Sequence, residues 1–268
     1  PLEAKKALFR LAAVRMTGKG TRRGERMKLM MVDVRKAHLN AKCSRDDVYV
    51  NLPKEAEAAP GMCGRLLRWL YGMRGAAQGW EEEFGGKLSG VGFTRGSSSP
   101  VVFYRDSDET IIVVHGDDFT VLGYPDSLEG LLTDMKAWWD IKLRGIVGSE
   151  PGDCKEITIL NRVLNWDGNE LTLRSDPKHQ REIVKAFGLT EGSRGLTIPV
   201  DRDAPAEAGE DELLEGDEIT KFRGLAARAN YLGLDRCDIQ YATKEVCRCM
   251  ARPTRGGMTK MKRLARYL

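Results

Sequence analysis

The sequence predicts an α+β domain, an antiparallel sheet with helices packed on one face, and three observations carry that prediction. Ile111 to Leu122, reading IIVVHGDDFTVL, is an apolar, β-branched hairpin interrupted only by turn residues. Segments of helical period, such as 127 to 139 with Leu128, Leu131, Leu132, Met135 and Trp138, alternate with short strand-like runs. The chain has 268 residues, 41% hydrophobic and 31% charged, which is enough to bury a sizeable core, and it shows no internal repeat.

Taken in order, residues 2 to 15 (LEAKKALFRLAAVR) have helical periodicity, and 28 to 33 form an apolar strand that ends in an acid. A helix-compatible RKAHLNA follows. Residues 76 to 88 form a helix around Trp80 and Phe84, and 101 to 104, 111 to 114 and 119 to 122 are strands. After the helix at 127 to 139, residues 157 to 166 and 170 to 174 read as a hairpin about Asp167-Gly168-Asn169. Lys178 to Phe187 is a helix closed by Gly188. Trp69, Trp80, Trp138 and Trp139 belong to apolar stripes and are assigned to core packing rather than to base stacking.

Asp117 and Asp118 sit at the tip of the apolar hairpin, and Asp33 ends the run Leu29-Met30-Met31-Val32. Aspartate is common in turns and at helix starts, so each acid alone has a structural explanation. All three, however, follow runs apolar enough to be central strands, where a carboxylate is costly unless a cation neutralises it. Three such acids suit a pair of divalent ions about 3.5 to 4 Å apart, the arrangement that activates an attacking oxygen and stabilises a leaving one in phosphoryl transfer. The expectation is that Asp33 and Asp117 end neighbouring strands and share an ion, with Asp118 in the same cleft or beside it.

The blocks VDVRKAHLN, LLRWLYGMRGAAQGW, GFTRGSSSPVVFYR, VVHGDDFTVLG, ITILNRVLNW, DRCDIQYAT and KRLARYL occur in this order. The chain resembles the reverse transcriptase of copia-type LTR retrotransposons, whose corresponding blocks read like DVKTAFLNG, LYGLKQAPRAW, GF then DPCLF, YVDDLL, YFLGIEI, RPDIAYAV and RVLRYL. The resemblance runs from about residue 2 to the end. It implies a polymerase palm, partial fingers and a basic, mostly helical thumb-like C-terminal part, as a segment of a Pol polyprotein. It also implies an RNA-directed DNA polymerase that adds deoxynucleotides to a primer 3′-hydroxyl with two Mg²⁺, or Mn²⁺, held by Asp33, Asp117 and Asp118.

By the same resemblance, Lys142 matches a palm lysine that protonates the leaving pyrophosphate, although an exposed surface lysine is the simpler account. His38 stands where Phe is usual, a plate beneath the incoming sugar, and His115 where Tyr is usual. Arg74, Gly75 and Gln78 fall in the region lying against template and nucleotide, with Gly75 where the family has Gln, a lost hydrogen bond that either Gln78 supplies or nothing does. Asn161 and Arg162 fall in the primer grip. The departures at His38, Gly75 and His115 leave a second reading, a decayed or domesticated palm that only binds nucleic acid. A nucleotide cyclase shares acids on a hairpin but calls for no basic C-terminal region.

The net charge of +4 hides a segregation. Residues 201 to 220 hold nine acids against one arginine, a net −8, so the remainder carries +12. Residues 221 to 268 hold twelve Lys and Arg against three acids. The division expected is a palm with partial fingers and primer-grip hairpin over 1–200, an acidic linker over 201–220 and a basic helical segment over 221–268. In that segment Arg255, Lys260, Lys262 and Arg263 are expected to track a nucleic-acid backbone.

Six cysteines without disulfide-framework spacing suggest a reducing compartment, and Cys247-x-Cys249 lacks a second pair for zinc. No apolar run is long enough for a membrane span. Starting at Pro1, the chain reads as a piece of a longer polyprotein. The partners expected are an RNA or DNA template with its primer, deoxynucleoside triphosphates, and the RNase H and integrase regions of that polyprotein. A cytoplasmic retrotransposon particle is the expected location, its DNA product destined for the nucleus.

Overall fold

The computed structural model describes residues 2–200, 209 and 211–268. Residues 201–208 and 210 of the 201–220 stretch expected to be a linker therefore lie outside the described residues. The chain divides into two compact units, 1–157 with 165–172, and 158–164 with 173–268. This differs from the expected division at 200 and 220, because residues 158 to 164 and 173 to 200 are gathered with the C-terminal helices.

The first unit opens with helix α1 (Leu2–Arg15), strand β1 (Lys28–Val34) and the one-turn helix α2 (Ala37–Asn40). A small hairpin, β2 (Tyr49–Asn51) with β3 (Cys63–Arg65), precedes helix α3 (Ala76–Gly90). Strands β4 (Thr94–Arg95), β5 (Val102–Arg105), β6 (Thr110–His115) and β7 (Asp118–Gly123) follow, then helix α4 (Pro125–Trp138) and β8 (Ile141–Val147). Six strands make one antiparallel sheet in the order β4-β5-β6-β7-β1-β8.

Alternation along the strands decides what each face buries. Met30, Val32 and Val34 of β1, Ile112 and Val114 of β6, and Phe119 and Val121 of β7 share one core with Trp80, Phe84 and Leu88 of α3 and Leu128, Leu131 and Met135 of α4. The rings of Trp80 and Trp139 meet edge to face at 5.0 Å, and Phe84 meets Phe119 at 5.7 Å. Trp69 is also buried, although in a loop rather than on a helix. Helix α1 packs on β6 and β7, yet its buried residues Lys5, Leu8, Phe9 and Ala12 lie outside that core. It covers the other face, so helices lie on both faces of the sheet rather than on one.

The run 157 to 166 is not one strand. It breaks at Leu160 and Asn161, both with positive φ (47° and 57°), into β9 (Glu156–Ile159) and β10 (Arg162–Trp166), which with β11 (Leu171–Ser175) form a sheet ordered β11-β10-β9. Two left-handed residues in succession make a tight turn, and neither is glycine, so composition gave no sign of it. The Asp167 carboxylate accepts from the amides of Asn169 and Glu170, which shapes the turn that was expected there.

The second unit contains helices α5 (Pro177–Ala186), α6 (Asp217–Gly233), α7 (Gln240–Cys247) and α8 (Arg255–Tyr267). Asp176 caps α5 by accepting from the Lys178 amide. Phe222, Leu225, Ala226, Ala229 and Leu232 of α6 form a core with Val246, Met261 and Leu264. Leu214 is buried in the same core, so the acidic stretch is structured from there on rather than a solvated linker throughout.

Candidate active site

The GDD hairpin closes with a two-residue turn, because His115 pairs with Asp118 and leaves Gly116 and Asp117 between them. Gly116 adopts φ 65°, the left-handed first position that such a hairpin requires. Two contacts fix the turn: the Trp80 indole N–H donates to the Gly116 carbonyl at 2.8 Å, and the Val34 amide donates to the Asp117 carbonyl at 2.9 Å.

Sheet register then sets the acids. Asp33 lies directly opposite Asp118 on β7 and opposite Lys142 on β8. Directly opposed residues of antiparallel strands project to the same face, so Asp118, Asp33 and Lys142 form a row across three strands. The facing pair is therefore Asp33 with Asp118, while Asp117, expected to face Asp33, occupies the exposed turn beside them. Lys142 is exposed.

Burial holds the Asp118 carboxyl above its ordinary range; Lys5 pulls it down, Asp117 raises it, Arg144 lowers it and Asp33 raises it. Neither Lys5 nor Arg144 was among the expected residues. The register of β8 slips between Met31 and Val32, which leaves Arg144 as the extra residue of a bulge, a feature without a sequence signature here. Lys5 was legible. It falls on the stripe of Leu8, Phe9 and Ala12, one turn earlier, and a lysine on a buried stripe is unusual.

Three carboxylates offer the hard oxygen donors that Mg²⁺ and Mn²⁺ prefer. Among the described residues, however, no three carboxylate, imidazole or thiol groups are drawn together as a ready ligand set. The half-buried placement of Asp118 is the observation that fits a cation: burial first, with Asp117 and Asp33 adding to it, makes its ionised form costly unless positive charge lies near.

The remaining expected residues divide into those near this sheet and those elsewhere. His38 stacks on Tyr71, ring centroids 4.2 Å apart and 26° from parallel, so the expected single plate is a pair of rings. Arg74 is exposed. Gly75 has a packing reason: a Cβ there would lie 2.5 Å from the Trp69 ring, and one at Gly79 would lie 2.2 Å from it. Two glycines thus cradle a buried tryptophan, and glutamine has no room at Gly75. Gln78 donates to Glu82 at 2.9 Å along the exposed side of α3.

In the second unit Asn161 forms the β9–β10 turn, and its carbonyl accepts from the Tyr231 hydroxyl at 2.8 Å. Arg162 is only 4% exposed, pairs with Asp235 at 2.8 Å and lies over the Tyr231 ring. Its guanidinium makes a buried ion pair inside the unit, where a contact with a primer was expected. Lys260 and Lys262 are exposed on α8 and Arg263 is half-buried, while Arg255 is held by Glu212 at 2.7 Å.

Residues 8–201 match the family described as reverse transcriptase (RNA-dependent DNA polymerase). The chain belongs to that family. It is 24% identical over 250 residues to the retrovirus-related Pol polyprotein from transposon RE1 of Arabidopsis thaliana, covering 90% of this chain and 16% of that protein. It is 25% identical over 247 residues to the Pol polyprotein from transposon RE2 of the same plant, again 90% and 16%. The copia-type resemblance read from the seven blocks is borne out, and the chain spans about a sixth of the length of these relatives. As a reverse transcriptase domain it has a mixed α and β fold built on a large antiparallel sheet. No helix among the described residues is long and apolar enough to cross a membrane.

Proposed function

We propose that this chain supplies the nucleotidyl-transfer site of a copia-type retrotransposon, extending a primer 3′-hydroxyl with deoxynucleotides along an RNA or DNA template. The observation that carries the reading is the register that opposes Asp33 to Asp118, with Asp117 in the adjoining turn. These acids would hold two divalent ions, which when bound supply activation of the attacking oxygen and stabilisation of the leaving one. Lys142, in the same row, would give a proton to the departing pyrophosphate. The His38–Tyr71 pair would lie under the sugar. Exposed Lys260 and Lys262 would meet phosphates as point charges. The reaction belongs, on this reading, to a cytoplasmic particle whose polyprotein also brings RNase H and integrase regions.

A second reading, a palm that binds nucleic acid without turnover, is favoured by the absence of a ready ligand set among the described residues. Primer extension by a longer Pol polyprotein carrying this chain separates the two. Asp117→Asn keeps size but removes a ligand charge, so extension should fall by a factor on the order of 10³ while primer-template binding holds. No extension by the parent protein establishes the second reading; extension by Asp117→Asn at the parental rate refutes the first.

A further inference from the structure

Lys5 is 1% exposed, and its ammonium nitrogen has no hydrogen-bond partner among the described residues. Burying a cation without a partner is costly, so the site should supply compensating negative charge. Helix α1 packs against β6 and β7, the two strands that the Gly116-Asp117 turn joins. Its far end is anchored, since Arg15 pairs with Glu109 at 3.6 Å and Glu109 accepts from the Arg22 amide at 2.8 Å and the Tyr124 hydroxyl at 2.7 Å. The helix is thus held with Lys5 toward the acidic end of the sheet.

The charges respond to one another. Burial pulls the Lys5 ammonium down to about 8, and the fields of Asp118 and Asp117 oppose that fall. No hydrogen-bonded ion pair to Lys5 is needed for this; an unpartnered charge in a low-dielectric setting acts over several ångströms.

We propose that Lys5 is an internal counter-ion of the acid cluster, a positioning residue that competes with divalent cations for the field of Asp117 and Asp118 and sets how tightly the site takes metal. The inference rests on the acids being the metal site, and it extends that reading to a residue outside the three carboxylates.

The test is Mn²⁺ binding to the 268-residue chain, read from loss of the free-ion electron paramagnetic resonance signal. Lys5→Met keeps the length of the side chain in an apolar stripe and deletes the charge, with Lys5→Gln as a second neutral variant should Met not fold. Either should bind Mn²⁺ about tenfold more tightly or better than the parent, whereas Lys5→Arg should bind like the parent. The gain should vanish in Lys5→Met combined with Asp118→Asn. Neutral variants that bind no more tightly than the parent, while Asp118→Asn alone still weakens binding, overturn the role of Lys5 and leave the metal site standing. Binding indifferent to Asp118→Asn in both backgrounds overturns the metal site, and the proposal with it.

Discussion

Gly75 shows how a single position is decided by a neighbour rather than by chemistry at the site. Restoring the family's glutamine there forces a Cβ to 2.5 Å from the Trp69 ring. Gly75→Gln should therefore destabilise the protein by about 1–3 kcal/mol, as overpacking of a buried cluster does, and should not improve nucleotide use. Urea denaturation checks this, and an unchanged midpoint would show that Trp69 moves aside freely. The acids were legible as residues, since carboxylates after apolar runs are costly without a cation, and so were the core tryptophans. The reason for Gly75 was not: it depends on a loop tryptophan returning over the start of α3, which no periodicity announces. Lys5 is legible as a lysine on the helical stripe of Leu8, Phe9 and Ala12. The ion pair of Arg162 was not legible, since Asp235 is remote in sequence and only the fold brings its carboxylate to that guanidinium.

Among elements, the link between α8 and the turn preceding α7 is the most exposed to pH. The Asp238 carboxylate accepts from Arg236 at 2.6 Å and from the Tyr267 hydroxyl at 2.9 Å, and these bonds, the Arg236 guanidinium foremost, hold it down to about 2. A carboxyl depressed by folding stabilises the native state above its unfolded value near 4, and that contribution is lost as pH falls from about 4 toward 2. The group is partly exposed, so solvent screening limits the contribution to roughly 1 kcal/mol. Asp238→Asn should lower the urea midpoint at pH 6 and flatten its fall between pH 4 and 2; a parallel fall in both proteins would exclude this pair as a source of acid sensitivity. The block DRCDIQYAT was recognisable as a pattern, but the bond from Tyr267 needs α8 folded back. Strand and helix positions were largely readable from period and turn residues. The β9–β10 turn was hidden because leucine and asparagine do its work, and the second helical face was hidden because a stripe tells that a helix such as α1 is buried without telling which face of the sheet receives it.

For the whole molecule, charge and topology make complementary statements. The first unit gathers acids on one end of an antiparallel sheet and sets basic groups around them, while residues 221 to 268 of the second unit carry twelve Lys and Arg against three acids. Both patterns suit a nucleic-acid polymerase, one for metal and nucleotide, one for backbone phosphates. The central claim is that Asp33, Asp117 and Asp118 form one divalent-cation site. Paramagnetic broadening tests it most directly. Adding Mn²⁺ in small steps to the isotope-labelled 268-residue chain should first erase the amide resonances of Asp33, Val34 and Gly116 through Phe119, before those of Lys260 through Arg263 change, and Asp33→Asn with Asp118→Asn should abolish that order. Broadening that begins elsewhere while the Gly116–Phe119 amides stay sharp would contradict the claim.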